Sequence, residues 1–189
     1  MLKKINKEKL IRCFIALELS REAISYIEEL QNLLKRKNLF TGKFTEPENL
    51  HLTLKFLGEI SEERVKEVQK QLKKIKFNEF EASLGEVGVF INKYNSILWI
   101  KLQGKEIWDL QKLIDKRLEN LKIVPEERFM SHITIARMKK IFSKEEFLNY
   151  VKNIKTKKIS FKVSEFIIKK SELKPEGPVY ENIEKFKAD

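Results

Sequence analysis

One short pattern, written twice, constrains this 189-residue chain more than any other feature of its sequence. The chain has two histidines, and each opens the pattern His-x-Thr-x, at His51 and again at His132. Around both copies the same elements are predicted in the same order: strand, helix, loop, His-x-Thr-x strand, helix, strand. Because equivalent points recur at a nearly constant offset of about 80 residues, we infer an internal duplication. The alternative is that any chain of alternating strands and helices repeats its elements at comparable spacing.

The boundaries of the predicted elements follow from apolar patterning and capping signals. The predicted strands are Arg12–Leu19, His51–Leu57, Phe80–Phe90, Ser96–Gln103, His132–Met138 and Ile159–Lys169. Helices with an apolar face are expected after Ser20, after Ser61, around Ile114 and after Ser143. We divide the chain into a basic N-terminal extension, a bilobal domain, two repeats and a C-terminal segment, namely 1–11, 12–189, about 12–91, about 96–170 and 171–189. Two related lobes are expected to face each other across a pseudo-twofold axis, with a ligand cleft between them.

On a strand, the pattern His-x-Thr-x places an imidazole and a hydroxyl group on the same face. Alternate side chains share a face, so His51 and Thr53 point one way, and His132 and Thr134 do the same. Imidazole titrates near neutrality, so one ring can accept a proton while the other donates one. Hydroxyl groups beside them can donate hydrogen bonds to phosphate oxygens that gain negative charge. A histidine among apolar neighbours is more often structural, but that reading does not explain why both histidines occupy the same tetrapeptide.

Charge and missing motifs narrow the chemistry further. The net charge of +11, from 39 basic and 28 acidic residues, favours a polyanionic partner such as nucleic acid, although heat-adapted proteins also carry such lysine-rich surfaces. The motifs of metalloproteases, P-loop proteins and dinucleotide-binding proteins are absent, so no metal or cofactor is expected. The single cysteine, Cys13, lies in an apolar run and predicts a buried thiol in a reducing, cytoplasmic setting. No apolar run is long enough to span a membrane.

Four segments carry a resemblance to a known superfamily. They are Arg12–Leu17, Pro47–Gly58, His132–Arg137 and Glu172–Tyr180. With the paired motifs they resemble the two-histidine (2H) phosphoesterases, and within them the LigT branch of RNA 2′,3′-cyclic phosphodiesterases, once named 2′-5′ RNA ligases. The similarity extends from Arg12 to Phe186. It departs from the usual pattern at Ser131, where the family often has a proline, and in the basic extension.

The resemblance implies an α+β fold of two pseudo-symmetric lobes, each a mainly antiparallel sheet with helices on its outer face. It implies hydrolysis of RNA 2′,3′-cyclic phosphate ends to 2′-phosphomonoesters without metal, and reversible 2′-5′ ligation without ATP. In that assignment His51 is the proton donor, His132 is the proton acceptor, and Thr53 and Thr134 hold the phosphate. The sequence itself leaves the reverse assignment of the histidines open. The expected partners are RNA ends, tRNA fragments among them, bound by a monomer in the cytoplasm.

Further candidates for substrate binding are Lys55, Arg137, Arg12 and Phe44. By alternation Lys55 shares the face of His51, although a solvated strand-end lysine fits equally well. Arg137 falls on the opposite face from His132 and reaches the site only if the strand twists or bulges. Arg12 opens the first strand, and Phe44, in a predicted loop, is a candidate for stacking on a base. Core packing is expected for Phe56, Trp99 and Trp108.

Two alternatives to this function remain open. A related enzyme could act on other substrates known in the superfamily, such as 2′-5′ oligoadenylates or cyclic ADP-ribose phosphates. A non-catalytic module that binds RNA ends would also explain the charge, although binding alone does not require two titratable groups.

Overall fold

The computed structural model describes residues 9–189, which form nine strands and four α-helices. In chain order they are β1 (Leu10–Glu18), α1 (Arg21–Lys37), β2 (Phe40–Phe44), β3 (His51–Ser61), α2 (Glu62–Leu72), β4 (Phe80–Phe90), β5 (Ser96–Gln103), α3 (Lys105–Glu119), β6 (His132–Ile141), α4 (Lys144–Lys152), β7 (Ser160–Val163), β8 (Glu165–Lys174) and β9 (Gly177–Lys187). A single 3₁₀ turn, Pro47–Asn49, precedes β3. Of the proposed extension 1–11, residues 1–8 lie outside the described residues, and Leu10 and Ile11 belong to β1.

All strand pairs of the sheet are antiparallel, in the order β7-β4-β5-β6-β3-β1-β8-β9, with β2 paired to β6. The two central strands, β3 and β6, meet at one register pair, Leu52 opposite Ile133. The sheet therefore curls into two lobes. We call β1, β3, β8 and β9 the His51 lobe, and β4, β5, β6 and β7 the His132 lobe. The two-lobed antiparallel fold that the resemblance implied is confirmed.

The last strand of each proposed repeat lies in the sheet of the other. β4 follows the first His-x-Thr-x strand in sequence but pairs with β5 in the His132 lobe. β8 follows the second motif but pairs with β1 in the His51 lobe. Each lobe is therefore built from both halves of the chain, and the cleft is fixed by strands that cross between them.

Amphipathic helices cover the sheet and close the hydrophobic core. In α1, Ile27, Leu30 and Leu34 are buried at helical spacing, and each contributes about 1.5–3 kcal/mol on burial. The Ser20 hydroxyl accepts a hydrogen bond from the backbone N–H of Ala23, which caps the helix as predicted. The same apolar spacing recurs in α3. Within residues 9–189 no helix is both long enough and apolar enough to cross a membrane.

Several predicted strand boundaries are wrong, because pairing with neighbouring strands, and not the local sequence pattern, sets where these strands end. β3 continues past Gly58 to Ser61, since Gly58 adopts φ +75° at a bulge opposite Cys13 and leaves the ladder intact. The single predicted strand Ile159–Lys169 is two strands, β7 and β8. They are separated at Ser164 and lie towards opposite ends of the sheet, where β7 is an edge strand and β8 lies between β1 and β9.

Two strands were missed. The predicted loop before the first motif contains β2, whose five residues pair with β6. The segment after residue 170 continues β8 and adds β9 as a hairpin. Cys13 is buried, as predicted, and its burial raises the pKa of the thiol to about 11.

Candidate active site

The two histidines start the two strands that meet at the centre of the sheet. In both motifs the alternation is as predicted: Leu52 and Ile133 are fully buried, while His51 and His132 lie half-buried on the opposite face. Because Leu52 pairs with Ile133 in antiparallel register, the two histidines lie on the same face, on either side of that pair. We call this face the cleft face.

The ring of His51 is fixed by hydrogen bonds at both nitrogens. Its Nδ1 lies 2.7 Å from the carbonyl oxygen of Asn49, so Nδ1 donates there. Its Nε2 lies 3.0 Å from the Thr53 hydroxyl. The ring packs against Phe14 at 4.8 Å and against the edge of Tyr180 at 5.2 Å between centroids. This tautomer leaves Nε2 as the atom that can exchange a proton in the cleft.

Burial lowers the pKa of His51 from 6.5 to about 4. The hydrogen bond to the Asn49 carbonyl opposes this shift, and the positive charges of Lys169 and Arg137 lower the pKa further. The ring is therefore neutral at pH 7 in the unliganded protein.

His132 repeats the arrangement of His51. Its Nδ1 lies 2.9 Å from the carbonyl oxygen of Met130, two residues earlier, as Asn49 is for His51. Its ring lies nearly perpendicular to that of Phe90, with 5.2 Å between centroids. In both motifs a backbone carbonyl therefore orients the imidazole through Nδ1 and leaves Nε2 as the nitrogen that can exchange a proton.

A β-bulge directly after each threonine reverses the alternation of the strand. In β3 the register skips Leu54, since Ala16 pairs with Thr53 but Ile15 pairs with Lys55. In β6 the register skips Ile135 in the same way. Beyond the bulge, side chains that simple alternation assigns to the cleft face turn into the core.

Two sequence predictions are wrong because of the bulge in β3. Lys55 does not share the face of His51: it is 4% exposed, and its Nζ lies 2.7 Å from Asp115 Oδ1 and donates to the carbonyl of Val124. Phe56, expected in the core, is 64% exposed on the cleft face. A local pattern of alternating residues cannot reveal this, because a bulge depends on the partner strand.

The bulge in β6 brings Arg137 to the cleft face. From the sequence, Arg137 is expected to reach the site only if its strand twists or bulges. Its charge adds to the burial that lowers the pKa of His51, and it opposes the burial that raises the pKa of Tyr180. Burial raises the pKa of Tyr180, and the charge of Arg12, exposed on β1, opposes that shift. Arg12 lies two residues from Phe14 on β1, so the two side chains share the cleft face.

Phe44 does not line the cleft. It lies in β2 opposite Ala136, which faces the core, and its ring packs against Phe40 at 5.4 Å. The stacking role predicted for it is therefore wrong. Trp99 is buried as expected, whereas Trp108 is half-buried against the core and Phe129.

Sequence reasoning missed a polar cluster beside His51. Glu18 lies opposite His51 in the β1–β3 register. Lys169, 7% exposed, places its Nζ 2.7 Å from Glu18 and 2.8 Å from the side-chain oxygen of Asn182. Tyr180 belongs to one of the segments that resemble the superfamily. No sequence motif identifies Lys169, which was predicted only as the last residue of a strand.

The other lobe has a different pair in the equivalent place. Lys101 lies opposite His132 in the β5–β6 register and forms an ion pair with Glu86 at 3.0 Å. The two halves of the site are thus alike in backbone and histidine geometry, and each has a lysine–glutamate ion pair, but the residue opposite the histidine is Glu18 in one and Lys101 in the other. Within residues 9–189, no group of three or more histidine, cysteine, aspartate or glutamate side chains is placed to hold a metal ion.

Comparison with known proteins places this arrangement in a family. A family model described as LigT like Phosphoesterase matches residues 17–99 and 101–180. The RNA 2′,3′-cyclic phosphodiesterase of Methanothermobacter thermautotrophicus is 30% identical over 94% of this chain and 98% of its own. That of Methanocaldococcus jannaschii is 31% identical over 93% and 100%. The crystal structure of TT0787 of Thermus thermophilus superposes with a TM-score of 0.78 at 28% identity, covering 94% of this chain and 97% of that one. The chain belongs to the LigT-like phosphoesterase family.

Proposed function

We propose that the protein hydrolyses RNA 2′,3′-cyclic phosphate ends to 2′-phosphomonoesters by acid–base catalysis at His51 and His132. The observation that carries this proposal is the paired geometry. Two imidazoles lie on one face of the sheet, each with Nδ1 tied to a backbone carbonyl two residues earlier. The names of the relatives in two archaea support the same substrate class.

In the proposed reaction water attacks phosphorus and the bond from phosphorus to the 3′ oxygen breaks. One histidine takes a proton from the water, and the other gives a proton to the departing 3′ oxygen. Thr53 and Thr134 donate hydrogen bonds to the non-bridging oxygens. Following the resemblance, His51 is the donor and His132 the acceptor.

The low pKa of His51 adds a requirement to that assignment. A donor must be protonated, yet the unliganded ring is neutral at pH 7. An anionic phosphate within a few ångströms of the ring favours the charged form and raises its pKa. Proton uptake by His51 is therefore coupled to substrate binding in this mechanism.

The positive charge of the site supports an RNA substrate. Within the described part of the chain, neither Arg12 nor Arg137 takes part in an ion pair, so both can meet phosphates. The proposed substrates are RNA ends with a 2′,3′-cyclic phosphate or a 2′-5′ linkage, tRNA fragments among them. The proposed acting form is a cytoplasmic monomer.

The proposal is tested with 2′,3′-cyclic AMP in the presence of EDTA, with chromatography to identify the product. We expect 2′-AMP from the parent protein, and a loss of at least about 100-fold in kcat for His51→Ala and for His132→Ala. A surface variant, Lys140→Ala, controls for preparation. Activity that disappears with EDTA, or formation of 3′-AMP, contradicts the mechanism. RNA-end binding without turnover by the parent favours a binding module instead.

A further inference from the structure

Asn49 has a buried side chain that the proposed mechanism does not use, although its backbone carbonyl accepts the hydrogen bond from His51 Nδ1. It is 8% exposed and ends the 3₁₀ turn that leads into β3. We propose that Asn49 is a positioning residue: its side chain ties this turn to the tip of the β8–β9 hairpin, residues 174–178, and the tie fixes the carbonyl that orients His51. This inference rests on the proposed function and adds to it the device that holds the proton donor.

The side-chain amide of Asn49 joins two parts of the chain that are far apart in sequence. Its Nδ2 lies 3.0 Å from the carbonyl oxygen of Pro178, 129 residues later, and 3.3 Å from Oε2 of Glu46. A carbonyl and an ionised carboxylate are acceptors only, so the nitrogen of the amide, and not its oxygen, must face them. The place therefore requires a side chain with an N–H, which aspartate and leucine of similar size lack.

A second contact holds the hairpin tip against the same loop. β1 pairs with residues 167–170 of β8, so the tip extends beyond the strand that supports the hairpin. Lys43 in β2 donates a hydrogen bond to the carbonyl of Glu176 and forms an ion pair with Glu46 at 2.6 Å. Glu46 in turn accepts from Asn49. The segment from β2 to the first motif and the hairpin tip are thus joined by one connected set of polar contacts.

The second histidine has a different anchor. Met130, whose carbonyl accepts from His132 Nδ1, has a thioether side chain that cannot donate a hydrogen bond. The next residue, Ser131, is fully buried, and its hydroxyl donates to the carbonyl of Leu102 at 2.6 Å within the His132 lobe. Loss of the Asn49 tie should therefore disturb one imidazole and leave the other unchanged.

The position of the Asn49 carbonyl decides which nitrogen of His51 carries the proton. While Nδ1 donates to this carbonyl, Nε2 is the nitrogen that exchanges a proton in the cleft. If the carbonyl moves away, the ring can rotate and the proton can reside on Nε2 instead. Burial lowers the pKa of His51 and this hydrogen bond opposes the shift, so the carbonyl also favours the charged ring that a proton donor needs.

The test records the imidazole nitrogen NMR signals of Asn49→Leu and Asn49→Asp at pH 7 without substrate. The parent should hold His51 in the tautomer with the proton on Nδ1. Both variants should show a mixture of tautomers at His51, while His132 keeps its parent signals. On 2′,3′-cyclic AMP we expect kcat to fall by about 10- to 100-fold with KM nearly unchanged, since the ring is displaced but the substrate contacts remain. Ser131→Ala, the matched control at a buried polar residue beside the other histidine, should leave the His51 signals unchanged.

Four outcomes overturn the positioning role of Asn49. They are the parent tautomer at His51 in both variants, an equal change at both histidines, an equal change at His51 in Ser131→Ala, and a parent-like kcat in both variants. Failure of the proposed function looks different, because the parent then turns over no cyclic nucleotide while the His51 signals still respond to the Asn49 variants.

Discussion

Replacing Lys55 by methionine tests how much the buried ion pair between Lys55 and Asp115 contributes to the free energy of unfolding. The side chains of Lys55 and Asp115 are 3% and 11% exposed, and Nζ lies 2.7 Å from Oδ1. Oδ1 has no other hydrogen-bond partner, whereas Oδ2 accepts from Gln111 at 2.7 Å and from the N–H of Glu126 at 2.8 Å. Removing one partner of a buried pair costs about 3–5 kcal/mol. Because Oδ2 keeps two donors, we expect the lower end, about 3 kcal/mol.

The assay is urea unfolding at pH 7, followed by circular dichroism. A double-mutant cycle with Asp115→Asn should show that the two losses are not additive. Lys76→Met, which breaks an exposed ion pair to Asp189, is the matched control and should cost less than about 1 kcal/mol. A loss below about 1 kcal/mol for Lys55→Met would refute the reasoning, since the buried pair would then behave as a surface pair.

The remaining predictions concern the cleft. The pKa of His51 falls from 6.5 in the unfolded chain to about 4 in the folded protein, so between these pH values the unfolded chain binds more protons. The contribution of His51 to the free energy of unfolding is therefore fully present above pH 6.5 and decreases as the pH falls towards 4. The decrease is up to about 3 kcal/mol in urea unfolding and disappears in His51→Asn; a flat profile in the parent contradicts it. In NMR titrations Arg137→Ala should raise the pKa of His51, because the guanidinium charge lowers it; no change would mean that Arg137 lies too far away. Gly88→Val should lower the free energy of unfolding by about 1–3 kcal/mol in thermal unfolding, because the valine side chain would collide with the ring of Trp99. An unchanged stability would show that the ring can move aside.

Local periodicity predicted the parts of the site that one strand determines. His51, Thr53 and their counterparts follow the two-residue repeat of a strand, so their common face could be read from the sequence. The capping serines and the apolar faces of the helices are local in the same sense, and Ser20 caps α1 as expected.

The remaining features depend on partners far away in sequence. The bulges at Leu54 and Ile135 exist only relative to the neighbouring strands, which is why the faces of Lys55 and Phe56 were predicted wrongly. β2 has little apolar character, and its pairing with β6 joins segments roughly 100 residues apart in the chain. No local pattern carries that information.

The crossing of β4 and β8 between lobes has a consequence for how the protein is made on the ribosome. β1 (Leu10–Glu18) is synthesised long before its partner β8 (Glu165–Lys174). Such pairing between distant segments slows folding, because the entropic cost of closing the loop arises before the stabilising contacts form. The His51 lobe can therefore mature only after β8 has been synthesised, and a nascent chain ending before residue 165 leaves one edge of β1 uncovered.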